Sequence, residues 1–167
     1  MTDDFAALFA FNRWADGRVI AACRALGPED YRREPAPGWP SVHATLVHLA
    51  GSTRAWARRF RGEVVTALPG AGEVPDLEAA ARLLGEAHDE FDAVARELTP
   101  ERLAAPWTYR NMRGEDCTAP LWAALRHVVN HATYHRGQVA SKLGRLGAPS
   151  PETDLIRWAF ETSPRPS

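Results

Sequence analysis

Six histidines occur in the 167 residues, and three of them, His127, His131 and His135, recur every fourth residue in the stretch HVVNHATYHRGQ, residues 127–138. On a helix, at about 100° per residue, His131 and His135 are neighbours one turn apart, with Cβ atoms about 6 Å from each other. Two imidazoles so placed can share one metal ion. They supply only two ligands, whereas a catalytic zinc-type site takes three protein ligands and keeps a position open for water or substrate. A third ligand would have to come from another helix. His43, His48, His88 and His127 are the candidates. His127 has turned about 80° from His135, which suits a supporting or surface position better than ligation. His43, near a helix start, reads as solvated. His48, in TLVHLAG, lies on the shoulder of its apolar stripe, on the side of Thr45 and Ser52, within reach of a neighbouring helix. His88 is nearer the centre of its stripe, between Leu84 and Phe91, so periodicity alone favours it over His48; its plainest role is a hydrogen-bonded core histidine. Spacing by itself does not demand a metal, because histidine pairs one turn apart also occur as ordinary polar residues.

The elements that must position these rings read as four long helices, an all-α four-helix bundle. Residues 3–26 place Phe5, Leu8, Phe9, Val19, Cys23 and Leu26 on one face before GPED breaks the pattern. After the proline-rich EPAPGWP, Ser41 can cap a helix that runs to about residue 61, with Val42, Leu46, Leu49, Thr53, Trp56 and Phe60 inward and Gly62 at its end. A third helix spans about 76–98, with the stripe Leu77, Ala81, Leu84, Phe91, Ala95 and Leu98. TPERL suggests one extra helical turn. Residues 105–118, APWTYRNMRGEDCT, put aromatic and β-branched residues on either side of a glycine turn and read as a short irregular hairpin. Thr118 as N-cap, Pro120 in the first turn and Gly147 past the end bound the fourth helix, whose stripe is Leu121, Leu125, Val128, Ala132, His135, Val139, Leu143 and Leu146. Residues 153–160 add a short helix, and the last residues, TSPRPS, are expected to fray.

Composition narrows the function classes. The chain is 45% hydrophobic and 25% charged, long enough for one domain over residues 1–167. Twenty basic against twenty-one acidic residues give a net charge of −1, and the arginines are scattered among acids and apolar positions. Nucleic acid is therefore not an expected partner. No apolar run approaches the ~20 residues of a membrane span, and the N-terminus is acidic where a signal peptide would be basic, so no membrane association and a cytoplasmic location are expected. Cys23 and Cys117 lack CxxC spacing and read as two reduced thiols.

Asn12 and Asp16 project from the apolar face of the first helix, where a polar group needs a partner. They are candidates for the surroundings of a metal site or for a substrate pocket; pairing with an arginine is the alternative. Arg136, beside His135 in HRGQ, is a pocket candidate too, although a structural salt bridge suits it better. Tyr134 is expected to pack away from the two histidines, and the six tryptophans to serve the core or an interface.

TLVHLAGSTRAWARRFRGE (residues 45–63) and LRHVVNHATYHRGQVASKLGRLGAP (residues 125–149), together with the N-terminal FNRWADGRV and the late hairpin, resemble the DinB/YfiT-like family of four-helix-bundle metalloenzymes over nearly the whole chain. The string NHATYHRGQ is the most specific part. The resemblance implies three histidines holding a divalent metal, nickel, zinc or iron, one on the second long helix and two on the fourth. Carried over, these are His48, His131 and His135, which decides for His48 where periodicity did not. An ion on three neutral imidazoles keeps positions open and can lower the pKa of bound water toward ~7 or stabilise a bound thiolate. Relatives that transfer low-molecular-weight thiols make thiol activation against a small electrophilic substrate the leading expectation. A metal-dependent hydrolase and a non-catalytic metal- or ligand-binding bundle are the alternatives. No general base is evident, so the catalytic groups stay unassigned. Family members pair through bundle faces, which makes a homodimer the expected assembly.

Overall fold

The computed structural model describes residues 2–163, with side chains from residue 4 onward; the fraying expected of the C-terminal end falls largely on residues 164–167, outside that range. Four long helices carry the architecture: α1 (Thr2–Cys23), α3 (Val42–Phe60), α4 (Leu77–Arg96) and α6 (Leu121–Arg145). Shorter elements join them: α2 (Pro28–Arg32), α5 (Pro100–Ala104), the strands β1 (Pro106–Arg110) and β2 (Asp116–Pro120), and the terminal α7 (Leu155–Thr162). α1 packs against α4 and α6, and α3 packs against the same two helices, so the four close into a bundle.

Local chemistry sets the ends of the site-bearing helices. Ser41 Oγ accepts from the Ala44 N–H at 3.1 Å, satisfying one of the donors left open in the first turn of α3. At the other end Gly62 adopts φ 84°, and the N–H groups of Gly62 and Glu63 return to the carbonyls of Arg59 and Arg58. The same closure recurs past α6, where Gly147 (φ 75°) lets Ala148 donate to Leu143 O. Asp76 Oδ1 caps α4 through Ala79 N at 2.7 Å.

The start of α6 departs from the sequence expectation. Thr118 is not its N-cap; it lies in β2, opposite Thr108, with the two hydroxyls 2.8 Å apart, and Pro120 is the capping residue. Strand pairing claims the segment that the Thr–x–Pro pattern assigned to a helix. The hairpin's inner face matters for the site: Trp107 and Tyr109 stack at 5.2 Å, and their rings meet Phe60 (4.8 Å) and Trp56 (5.0 Å) respectively on α3.

Two apolar halves fill the bundle. One gathers Phe5, Phe9, Phe91, Leu103, Leu121 and Leu125; the other gathers Val19, Val42, Leu46, Leu49, Val139 and Leu143. Between them, in chain position on α1, α4 and α6, stands a buried polar layer. Arg136 donates to Asn12 Oδ1 (2.6 Å), Asp16 Oδ1 (2.9 Å) and Thr133 Oγ1 (2.7 Å), while His88 Nε2 lies 2.9 Å from the other Asp16 oxygen. Arg136 is 1% exposed and also faces the Phe11 ring. Arg136 and Asp16 balance each other's charge, as burial requires, while the Arg136 Nε–H has no hydrogen-bond partner among the described residues. Both cysteines are free; burial pushes the Cys23 thiol up to about 12, which makes it inert.

Candidate metal centre

On the side of the bundle where α3 meets α6, one histidine from the first helix and two from the second converge. His48, His131 and His135 each offer a ring nitrogen, and these atoms all lie within 4.8 Å of one another. His131 and His135 approach through their Nε2 atoms at 3.1 Å, while the His48 ring centroid is 5.6 Å from that of His131 and 4.6 Å from that of His135. Two nitrogens on one ion at 2.0–2.1 Å stand about 3.3 Å apart in tetrahedral geometry, so the His131–His135 pair already has a ligand-like separation. The wider span to His48 closes if its ring, the exposed one of the three, swings inward. No Cys, Asp or Glu joins the cluster among the described residues, so an ion held by the three rings would keep positions open to water or substrate.

Protonation favours ligation. Burial, followed by the neighbouring imidazoles, pushes His131 down to about 4, and burial lowers His48 and His135 from the usual histidine value. The three rings are therefore neutral near pH 7 and present lone pairs. Gln138 Oε1 stands 2.9 Å from His135 Nδ1 and accepts its N–H, which directs the lone pair onto Nε2. Gln138→Ala is expected to weaken zinc binding by about 10-fold or more with the fold intact, read by competition with a chromogenic chelator.

The same shift sets a pH dependence. An unfolded histidine titrates near 6.5, so between that value and about 4 the unfolded chain holds a proton that His131 in the folded protein resists. Stability of the metal-free protein is thus complete above pH ~6.5 and declines as pH falls toward 4. Melting temperatures taken from pH 7.5 to 4.5 should drop along that interval; a flat profile would contradict the neutral, desolvated cluster.

The remaining candidates fall elsewhere. His88, favoured by periodicity, is buried and bound to Asp16 of α1, and it is not among the three converging rings. Asn12 and Asp16 both accept from Arg136, and none of the hydrogen bonds of these three among the described residues reaches the three rings. His127 is exposed, its ring 5.0 Å from Trp56 and 5.5 Å from His131, at the hairpin end of the crevice. Two expectations require correction. His43 is not solvated: it is 2% exposed, its Nε2 2.8 Å from Ala71 O and its ring edge-on to Tyr31, because the loop before α4 folds back over the start of α3. Tyr134 does not pack away from the histidines; its largely exposed ring meets that of His135 at 5.2 Å.

Sequence reasoning missed Lys142 and Trp39. A cavity of about 550 Å³ opens next to His135, lined by Trp39, Pro40, Tyr134, Gln138, Ser141 and Lys142 among others. Lys142 follows His135 by seven residues, so it lies within about 20° of the same helical line. A cation at the centre of an apolar stripe was the available signal.

Fold and site together define an all-α bundle with a three-histidine face open to solvent. The sequence profile of the DinB family matches residues 1–165, and the chain belongs to that family. It is 27% identical over 167 residues to Protein DinB of Bacillus subtilis (strain 168), covering 97% of each chain. Among solved structures it is similar to YfiT from Bacillus subtilis, described as a probable metal-dependent hydrolase with an unusual four-helix bundle topology (TM-score 0.68, 19% identity, 87% of each chain). It is also similar to a DinB-like protein from Bacillus cereus ATCC 10987 (TM-score 0.61, 17% identity, 90% of this chain and 95% of that one). At these identities the two structures establish the shared fold. No helix among the described residues is long and apolar enough to cross a membrane.

Proposed function

We propose that His48, His131 and His135 hold a divalent metal ion, nickel, zinc or iron, and that the protein is an enzyme that activates water or a small thiol for attack on an electrophilic small molecule. The observation that carries this reading is the convergence of three imidazoles from two helices, with no fourth protein ligand beside them among the described residues and with burial favouring the neutral rings. The description of YfiT as a probable metal-dependent hydrolase supports the metal-dependent part and favours water as one nucleophile. An ion bound there supplies Lewis acidity that lowers the pKa of a coordinated water or thiol. The chain's own contribution is placement. The spacing along α6 sets two ligands side by side, Gln138 holds the His135 ring in the required tautomer, and the exposed edge of His48 leaves the approach to the centre open.

Untagged protein loaded with zinc, nickel or iron, supplied with 4-nitrophenyl acetate or monochlorobimane in the presence and absence of cysteine, tests the proposal. Metal-dependent turnover without thiol identifies the hydrolase, and turnover only with thiol identifies the transferase. Metal-saturated protein that turns over neither compound and binds neither thiol nor anion overturns the enzymatic reading.

A further inference from the structure

Lys142 is the charged group that the three-histidine centre leaves unused. It stands between Val139 and Leu143 on the apolar line of α6 and is 4% exposed. Its ammonium donates to Thr45 Oγ1 on α3 at 2.6 Å, while the Thr45 hydroxyl donates to Ser41 O at 3.0 Å. An ammonium carries three N–H donors, so Thr45 occupies one of them. No carboxylate pairs with Lys142 among the described residues, and burial alone lowers its pKa. A buried cation normally has a counter-ion, because losing water without gaining an opposite charge is costly.

The surroundings of Lys142 show where that counter-ion belongs. The lysine lines the 550 Å³ cavity, and none of the residues lining it is acidic. A second cation, Arg145, sits over the Trp39 ring at 4.7 Å. Trp39 and Tyr134 both line the cavity and expose 41% and 65% of their surface, so aromatic area stays open to a ligand beside the contacts that Arg145 and His135 make. The volume lies within the usual range for small-molecule sites. The cavity also abuts the histidine cluster, since Gln138 bonds His135 and the Tyr134 ring touches the His135 ring.

We propose that this cavity binds a small carboxylate with a flat apolar body as the substrate of the three-histidine centre, with Lys142 receiving the carboxylate and Trp39 and Tyr134 flanking the body. The assignment as substrate rests on the metal-dependent reading above; the binding does not. It is therefore tested on the full-length untagged chain without metal, where the neutral histidines offer no competing charge. Affinities of 3-phenylpropionate and of its neutral amide are measured by titration calorimetry, and contacts to the Trp39 indole are read by nuclear Overhauser effects.

Wild-type protein should bind the acid about 10-fold or more tighter than the amide, the worth of a hydrogen bond to a charged group. Lys142→Met, and independently Lys142→Gln, should bring the two affinities together while the ligand ring keeps its contacts with Trp39. Equal affinities for acid and amide in the wild-type protein overturn the proposal whether or not either variant folds. So does a preference for the acid that survives the loss of Lys142, or a ligand that makes no contact with Trp39. Metal uptake by a second portion of the same protein, reconstituted with zinc, nickel or iron, reports separately on the histidine centre: stoichiometric uptake with no preference for the acid rejects the carboxylate site alone, and a preference for the acid with no uptake of any of the three rejects the metal reading alone.

Discussion

Replacing His131 by alanine should strip the protein of its metal. Elemental analysis of untagged wild-type protein is expected to give near-stoichiometric nickel, zinc or iron, and His131→Ala only traces. His131 stands 3.1 Å from His135, the shortest separation in the cluster, and is itself a proposed ligand rather than a support for one. The affinity loss should therefore exceed the 10–100-fold caused by removing a group that merely orients a ligand. His127→Ala is the control. Its ring rests against Trp56, and the variant should keep its metal. Equal trace occupancy in wild type and His131→Ala would show that the three rings meet without holding an ion, and the catalytic reading would fall with it.

The largest expected effect on stability lies in the polar layer. Asp16→Ala leaves Arg136, at 1% exposure, with Asn12 and Thr133 as neutral acceptors and no charge to balance it, and deprives His88 of its partner. Breaking a buried pair by removing one member costs about 3–5 kcal/mol, which for a domain of this size lowers the melting temperature by roughly 10–15 °C. Asp16→Asn keeps an acceptor for Arg136 and should lose clearly less. The double replacement Asp16→Leu, Arg136→Met removes both charges together and should also be milder than Asp16→Ala, because no uncompensated ion remains. Thermal melts of the three variants decide it. Similar behaviour of Asp16→Ala and the wild type would mean that water reaches Arg136.

Where local chemistry determined an element, the sequence predicted it well. The stripe from Val42 to Phe60, the Ser41 cap and the glycines that close α3 and α6 are all short-range signals, and each stands where it was expected. Misreadings arose where distant segments intervene. Thr118 has the appearance of a cap until β1 claims it, and His43 has the appearance of a surface residue until Ala71 arrives from the next loop. Periodicity alone ranked His88 above His48 for a different reason. Apolar periodicity ranks positions by burial, and it found the buried histidine, whose ring serves Asp16. A ligand that must meet both an ion and an incoming molecule belongs on the shoulder of the stripe, where His48 lies exposed beside two half-buried partners. The family resemblance, not burial, pointed to His48, the ring that meets His131 and His135. Lys142 went unnoticed because an apolar stripe is read by its majority, and one cation among leucines and valines barely changes the average.

The two-plus-one division of the histidines between helices has a mechanical consequence. His131 and His135 ride on one rigid segment, so their separation hardly depends on how the bundle packs, whereas the distance to His48 is a direct measure of the gap between α3 and α6. Anything that spreads those two helices dismantles the trio without touching any member of it, and an ion gripped by all three would act as a rivet across the seam.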